Sequence, residues 1–337
     1  MAAEISYGVR AADWVLTYNG VDITSETSQM ILGISYIDRL SAASGEVEIE
    51  VEDSQKRWQS SWYPGLGDQL TLQIGYRGEP LFNCGDFQLD ELELDGPPDT
   101  MRLRYLASYI TPAMRTRNTA GYENQTVAQI AKSFAIKYRL EFIAAGESEE
   151  DEVGFERVTQ RLETDLEFLK RLAVENGYDF AIRGSQMVFY RRSALAQVPS
   201  SLTIFRSDVT QFSFKNQTRR IYRSANVSYF DPDTKELLAA RVTAPQMTPS
   251  ADALKIVTRC ENGTQASTKA QAALELHNME SVEMRVEGPG QTGLVAGNNI
   301  LVEGWAALDG VYQIDTAHHR IDRASGYTTS IVANRLV

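Results

Sequence analysis

The sequence predicts a mainly β fold with an α+β insertion, in which two antiparallel β-barrel domains flank a small α+β domain. Residues 13–110 and 200–337 alternate apolar and polar residues between turn signals, which is typical of antiparallel strands. Residues 111–193 contain two segments with apolar residues at helical spacing, and a short strand follows each of them. The predicted domain ranges are 1–110, 111–195 and 196–337.

The first barrel is predicted to open with a hairpin. Trp14, Leu16 and Tyr18 alternate along a strand, and the Asn19-Gly20 pair after them is a strong signal for a tight hairpin turn. Two further strands are predicted from alternating sets, Met30, Leu32, Ile34 and Tyr36, then Leu70, Leu72, Ile74 and Tyr76. Short strands in this succession predict a closed or nearly closed antiparallel barrel.

A second hairpin in this barrel is predicted to pair opposite charges. Its strands are predicted at residues 87–94 and 101–109. They meet across the turn formed by residues 96–99, which are Gly-Pro-Pro-Asp. In that pairing Arg102 and Arg104 would lie across the strands from Glu91 and Glu93. We therefore expect cross-strand ion pairs on one face of this hairpin.

Residues 45–52 form a strand with a strict period of two. Valine and isoleucine point to one face, and the other face consists of Glu46, Glu48, Glu50 and Glu52. Four like charges on one face repel one another, so that face must meet water or basic neighbours. Two interpretations remain open. The glutamates line an aqueous channel, where a negative wall keeps polyanions from sticking, or they belong to a solvated outer face.

The α+β domain is organised around a helix that leads directly into a strand. Thr164 and Glu167 form a capping box at the start of the helix, and Asn176-Gly177 ends it. The predicted apolar stripe of this helix consists of Leu162, Leu166, Leu169, Leu172 and Ala173. A second capping box, Thr126 and Gln129, begins an earlier helix. The domain therefore contains two consecutive helix-then-strand units.

Residues 200–337 return to strand patterns that predict the second barrel. The predicted strands lie at residues 209–214, 221–230, 237–242, 254–258, 282–286, 299–302, 312–315 and 328–333. Turns are predicted at residues 231–233 and 288–290, and a flexible loop at residues 243–252. One helix, at residues 267–279, interrupts the strands.

Composition excludes several classes of protein. Hydrophobic residues make up 43% and charged residues 23% of the 337 residues, which is typical of a folded, soluble protein. The formal net charge of −12 argues against specific nucleic-acid binding over a broad basic face. Cys84 and Cys260 give no metal spacing or disulfide framework. The sequence has no membrane-spanning run and no secretory signal at its beginning, so we expect folding in a cytoplasm and no stable membrane insertion.

No catalytic, cofactor-binding or metal site is predicted. Residues 288–293 match the glycine fingerprint for dinucleotides by letter, but a strand follows them where that motif requires a helix. His318 and His319 are neighbours on a predicted strand, so they point to opposite faces and cannot hold one ion together. Nucleophile-elbow and zinc-protease motifs are absent from the sequence. We therefore expect that the protein is not an enzyme.

Three stretches resemble one family, the phage late control gene D proteins, which are the hubs of contractile tail baseplates. These proteins are related to the hub part of the valine-glycine repeat (VgrG) spike proteins of type VI secretion. The similar stretches are residues 122–131, residues 164–180, and a closing series at residues 294–304, 308–314, His318 and residues 326–331. They span most of residues 120–337, whereas the first barrel matches in general pattern alone.

The resemblance implies a particular assembly. Both barrels would be tube-like, and three chains would form a ring in which six barrels mimic the hexameric tail tube. The homotrimer would adapt the sixfold tube to a threefold central spike. The implied partners are the tail tube protein above, a spike protein below, other baseplate proteins and the tape measure protein. Family membership implies no active-site residues and no cofactor.

The expected function is therefore a structural hub of a phage tail, a phage-tail-like bacteriocin or a related injection device. It would assemble in the bacterial cytoplasm and become part of a released particle. Residues 332–337 follow the last similar stretch, which is too few for a piercing domain, so the spike is expected to be a separate protein. The alternatives are a hub-associated enzyme that degrades cell wall and a secreted binding module that acts alone.

Overall fold

Strands dominate the computed structural model, which describes residues 10–40, 45–109, 112–145, 154–217, 221–230, 235–244, 251–279 and 281–336. In the first part of the chain the strands are β1 (Ala12–Tyr18), β2 (Val21–Asp22), β3 (Ile31–Arg39), β4 (Glu46–Glu52), β5 (Gln69–Tyr76), β6 (Phe82–Asp95) and β7 (Thr100–Ala107). Those in the middle are β8 (Arg117–Thr126), β9 (Glu141–Ala145), β10 (Gly154–Thr164), β11 (Tyr178–Arg183) and β12 (Gln186–Arg191).

The remaining elements complete the chain. The later strands are β13 (Leu202–Phe205), β14 (Gln211–Asn216), β15 (Ser224–Phe230), β16 (Leu237–Thr243), β17 (Ala253–Val257), β18 (Val282–Pro289), β19 (Asn299–Glu303), β20 (Gly310–Asp322) and β21 (Gly326–Arg335). The helices are α1 (Thr24–Thr27), α2 (Val127–Lys137), α3 (Asp165–Glu175), α4 (Arg192–Ala196) and α5 (Gly263–Met279).

One 13-stranded sheet runs through both strand-rich parts of the chain. Its main path is β14-β18-β21-β20-β3-β4-β7-β6-β5-β1-β2, and β19 and β13 extend it from β20. The mainly β fold with an α+β insertion is therefore confirmed. The sequence did not indicate that the two halves share this sheet. They are joined by an antiparallel ladder between β3 and β20, which runs from the Arg39–Thr316 pair to the Gly33–Asp322 pair.

Each half of the sheet packs its inner face around its own core. Val47, Leu72 and Met101 are fully buried in the first core, and Met284 and Tyr312 are fully buried in the second. Two residues of the second half, Ile321 of β20 and Tyr327 of β21, belong to the first core. The two cores thus meet where β3 pairs with β20.

Local predictions in the first half are confirmed with one exception. The hairpin turn at Asn19-Gly20 has the positive φ angles, 47° and 82°, that this turn type requires. In β3, however, Ile31 occupies the core instead of the predicted Leu32. The pairing of β3 with β4 shifts by one position between Ile31 and Gly33, and such a bulge moves the following side chains to the other face.

The central α+β unit packs two helices on small sheets. α2 and α3 begin with the predicted capping boxes, and Gly177 has the positive φ expected after α3. The helices cover a sheet with the order β11-β12-β9, while β8 and β10 pair as a separate ribbon that was not predicted. Leu162 was predicted on the buried stripe of α3, and this was wrong. It lies in β10 before the helix begins, at a bulge with φ of 48°, and is 73% exposed.

A second α+β layer lies inside the range predicted for the second barrel. β15, β16 and β17 form a separate three-stranded sheet that packs against α5 around a core with Val227, Ala270 and Leu274. α5 in turn contacts α3 of the central unit. The carboxylate of Glu261 accepts hydrogen bonds from the backbone N–H groups of Glu156 and Arg157, both at 2.9 Å. The predicted turn at residues 231–233 lies outside the described residues.

The two α+β units attach to the same end of the large sheet. The chain leaves β7 at Ala107 for the central unit, and leaves β14 at Asn216 for the second layer. The strand pairings place these residues at the level of Arg39, Glu46 and Val282, which we call the α+β end. The opposite end carries the β6–β7 and β20–β21 turns, and we call it the hairpin end.

His319 is buried at the joint between the two halves. Its ring stacks on Tyr36 of β3 at a centroid distance of 5.9 Å. Nε2 lies 3.0 Å from the carbonyl oxygen of Leu294 and Nδ1 lies 2.8 Å from the hydroxyl of Tyr327. Nε2–H therefore donates to Leu294, and Nδ1 accepts from Tyr327, which is the neutral form of the ring. Burial lowers the pKa of His319 to about 4.

We predict that His319 makes the fold sensitive to mild acid. The folded protein takes up this proton near pH 4, whereas an unfolded chain takes it up near the ordinary pKa of about 6.5. Stability contributed by neutral His319 is complete above pH 6.5 and falls by up to about 3 kcal/mol as the pH drops to 4. His319→Gln should remove this part of the pH dependence. Urea denaturation of both proteins across that interval measures it, and parallel curves would contradict the prediction.

Candidate functional site: the polar face of the shared sheet

The face of the 13-stranded sheet that points away from both cores is polar and continuous across the joint. Strand pairing carries it from Glu287 of β18 through Ser330 and His318 to Ile37 of β3 and Glu46 of β4. Neighbouring residues in such a ladder project to the same face. This face is therefore a single surface built from both halves of the chain.

The four predicted glutamates lie on this polar face. Val47, Ile49 and Val51 of β4 are buried in the first core, so the alternating side chains point the other way. The structure thus brings Glu46, Glu48, Glu50 and Glu52 together with β3 and β7 beside them. Whether the surface they belong to encloses a channel is a property of an assembly, and the channel remains a prediction.

Two arginines on β7 lie between two acidic strands. Arg104 Nε is 2.6 Å from Glu46 of β4, and its Nη1 is 3.4 Å from Glu91 of β6. Arg102 lies 3.6 Å from Glu48 and 2.8 Å from Glu93 in the same arrangement. The cross-strand pairs predicted from the sequence are confirmed. Each guanidinium group bridges a carboxylate on either side, which reduces the repulsion along β4.

The polar face remains acidic in the first half and mixed in the second. The carboxylates of the first half are Glu46, Glu48, Glu50, Glu52, Glu91, Glu93 and Asp95, and its cations are Arg39, Arg102 and Arg104. In the second half Glu283, Glu287 and Asp322 lie among Lys215, Arg285 and Arg320. The surface potential therefore changes across the β3–β20 joint.

The histidine pair divides between the two faces, as the sequence predicted. His319 points into the core, and His318 lies on the polar face with its Nε2 2.7 Å from the hydroxyl of Ser35. Burial among its neighbours lowers the pKa of His318 below its usual value. In the part of the chain that the structure describes, no three His, Cys, Asp or Glu side chains are arranged to hold a metal ion.

A buried carboxylate ties the α+β end to the joint, and no sequence pattern indicated it. Asp38 of β3 accepts a hydrogen bond from the backbone N–H of Ala296 at 3.0 Å. Arg183 of β11 lies 3.5 Å from the same carboxylate and donates to the carbonyl of Ala296 at 2.5 Å. Burial raises the pKa of Asp38 above its usual value, although Arg183 opposes this. The contact connects both halves of the sheet and the central unit.

The comparison with protein families identifies residues 102–325 as a match to the phage tail baseplate hub (GPD) model. A probable baseplate hub protein of Escherichia phage 186 is 25% identical over 223 residues, which are 65% of this chain. The aligned part is 56% of that relative, so this chain spans about half the length of the curated protein it matches. Within the described residues, none of the helices combines the length and apolar composition needed to cross a bilayer.

Solved structures share the whole fold. A 43 kDa tail protein of prophage MuSo2 from Shewanella oneidensis aligns with a TM-score of 0.69 at 19% identity, over 96% of this chain and 98% of its own. An E. coli component of the type VI secretion system aligns with a TM-score of 0.61 at 17% identity, over 94% of this chain and 76% of its own. These likenesses extend over both halves of the sheet and both α+β units.

We predict that Arg104 stabilises the acidic strand through Glu46. The side chain of Glu46 is 17% exposed, so its carboxylate depends on this partner more than an exposed one would. Arg104→Met should lower the free energy of unfolding by about 1 kcal/mol. In a chain that already carries Glu46→Gln, Arg104→Met should cost much less. This double-mutant cycle compares the free energies of unfolding of the wild type, the two single variants and the double variant, measured by urea denaturation at low salt.

The matched control for this cycle is the pair Arg157 and Glu123, whose side chains are 65% and 63% exposed. The coupling free energy of this pair should be about 0.3 kcal/mol. Equal coupling in the two cycles would show that the position of Glu46 on the polar face has no special effect.

Proposed function

This chain belongs to the phage tail baseplate hub (GPD) family, and from that premise we propose that it is the structural hub of a contractile tail baseplate. The particle is a phage tail or a phage-tail-like device. The observation that carries the proposal is the continuous sheet, because it gives one chain two strand-rich halves and a single polar wall. The role is mechanical and involves no catalysis.

The hub is a homotrimer that adapts a sixfold tube to a threefold spike. Two halves in each chain give six similar segments in a ring of three, which matches the symmetry of a hexameric tube. Closed rotational symmetry also limits growth, because each contact surface is used within the ring. The β3–β20 ladder supports this arrangement, because it fixes the position of the two halves of one chain relative to each other.

The two ends of the sheet have different partners. At the hairpin end both halves present a β-turn, between β6 and β7 and between β20 and β21, so a ring of three chains repeats six turns there. This repetition suits the tail tube protein. The α+β end carries two further units in each chain and suits a separate, trimeric spike protein. Other baseplate proteins and the tape measure protein are further partners.

The acidic polar face lines the channel of the ring. Glu46, Glu48, Glu50 and Glu52 then belong to a wall where carboxylates exceed the neighbouring guanidinium groups. Such a wall repels polyanions and lets them pass without adhering. The chain is assembled into the baseplate in the bacterial cytoplasm, and it leaves the cell as part of the particle.

We predict that Ala324→Trp prevents binding of the tail tube protein. Ala324 is exposed in the β20–β21 turn, so an indole there changes the hairpin end without disturbing either core. Affinity for the co-expressed tube protein should fall at least about tenfold, as measured by co-purification and titration. Ser185→Trp at the exposed turn of the α+β end is the control and should bind the tube normally. The assignment of the tube protein to the hairpin end would be contradicted if both variants lost binding equally, or if neither lost it.

We predict that Glu50→Cys becomes enclosed on assembly. The other thiols are first removed with Cys84→Ser and Cys260→Ala. A small maleimide should label Cys at position 50 in the free chain and in the intact particle, because water fills the channel. A maleimide carrying a large polymer should label the free chain alone. Equal labelling of the particle by the large reagent would place this face on the exterior.

A further inference from the structure

The sheet of β15, β16 and β17 has one face on α5 and a second face with exposed residues on all three strands. Its residues are Asn226, Ser228, Phe230, Leu237, Ala239, Arg241, Thr243, Ala253, Lys255 and Val257, whereas Ser224, at the start of β15, is buried. We call them the outer face. Strand pairing aligns them, since Phe230 lies opposite Leu237, and Ser228 lies between Ala239 and Val257. These residues therefore form one surface.

The outer face is more apolar than a solvent-facing sheet requires. Val257 is 88% exposed, Leu237 is 74% exposed and Phe230 is 58% exposed. Single exposed apolar residues are ordinary, but here three large ones lie on the same three-stranded sheet. The other face of this sheet packs on α5 around its own apolar core. Phe230, Leu237 and Val257 do not belong to that core.

The charge of the outer face is opposite to that of the chain. Arg241 and Lys255 lie on either side of Asn226, and no carboxylate belongs to this face among its described residues. Neither cation forms an ion pair within the described parts of the chain. The chain as a whole has a net charge of −12. An acidic surface of a second copy would therefore be electrostatically complementary to this one.

The position of the outer face favours a second copy as its partner. α5 separates this sheet from α3, so the outer face is directed away from the central unit of its own chain. The layer is attached to β14, which is the last strand on the path of the large sheet. Phe212 of that strand is 45% exposed. The layer that carries the outer face is thus attached at an edge of the large sheet.

We propose that the outer face is a contact surface between copies of this chain, and that it binds a different, acidic surface of the neighbouring copy. Two outer faces would pair unfavourably with each other, because Arg241 and Lys255 of one copy would meet the same cations of the other, and none of the described residues of this face is a carboxylate. The contact is therefore heterologous. Heterologous contacts that close produce rings. This inference rests on the proposed homotrimer and identifies the residues that hold it together.

The test uses the full chain and measures its mass by light scattering over a range of concentrations. The wild-type chain should reach three times 37.6 kDa. Leu237→Ser combined with Val257→Ser, and separately Arg241→Glu combined with Lys255→Glu, should each raise the concentration needed for assembly at least about tenfold. The charge variant should lose more at low salt, because screening weakens such contacts. Both variants should keep the wild-type circular dichroism spectrum, and they should keep the wild-type melting curve at concentrations where all the proteins are monomeric.

Leu66→Ser is the matched control, because Leu66 is 70% exposed but belongs to the first half of the sheet. It should assemble as the wild type does. The proposal is overturned if the outer-face variants assemble normally, or if the wild-type chain stays at 37.6 kDa throughout. If the outer-face variants assemble normally and instead fail to bind a spike protein or another baseplate protein, the proposal is likewise overturned, because the surface then serves that partner. A wild-type trimer that binds no tube protein would instead contradict the hub function and leave this contact in place.

Discussion

The pairing of β3 with β20 is the interaction on which the rest of the structure depends. It joins strands that are almost the whole chain apart in sequence, and it removes two edges that would otherwise attract other strands. Its register is fixed from both faces. A slip by one residue would turn His318 into the core and would expose His319, which now has hydrogen-bond partners on both ring nitrogens. The joint therefore has one stable alignment.

A continuous sheet has consequences for charge as well as for shape. Side chains on the polar face cannot withdraw from one another, because the backbone ladder sets their spacing at about 5 Å between directly opposed residues. The acidic strand β4 is tolerated because Arg102 and Arg104 lie beside it and also face the carboxylates of β6. This arrangement neutralises part of the charge and leaves a net negative surface in the first half. The same face is mixed in charge beyond the joint.

Features with a local cause could be predicted from the sequence. The Asn19-Gly20 hairpin, both capping boxes and the cross-strand pairs of Arg102 and Arg104 follow from spacings of a few residues, and the structure contains all of them. The period of two in β4 also placed its glutamates on one face. The error at Leu162 has a local origin too, since an apolar residue at helical spacing lies just before the cap that starts α3.

Features that depend on distant residues could not be predicted in this way. Alternation in β20 shows that it is a strand but not that β3 is its neighbour, and the strands β15 to β17 do not indicate that they leave the large sheet. The Asp38–Arg183 contact likewise joins residues whose sequence surroundings are ordinary. For the candidate site, the orientation of the glutamates was predictable. That these glutamates line a channel stays a prediction, because a channel requires more than one chain.

The contacts at the α+β end explain how the attached units can transmit force from the sheet. Glu261 is held by two backbone N–H groups of β10, and Lys269 of α5 lies 2.9 Å from Glu175 of α3. Arg183 similarly donates a hydrogen bond to the backbone carbonyl of Ala296, in the loop beside the joint. Apolar surfaces alone would allow helices and sheets to slide, whereas hydrogen bonds to backbone groups are directional and are lost together when the units shift. Because these contacts anchor both α+β units to each other and to the joint, a load applied along the strands reaches them as one body. Such stiffness suits the mechanical role that we propose for this chain.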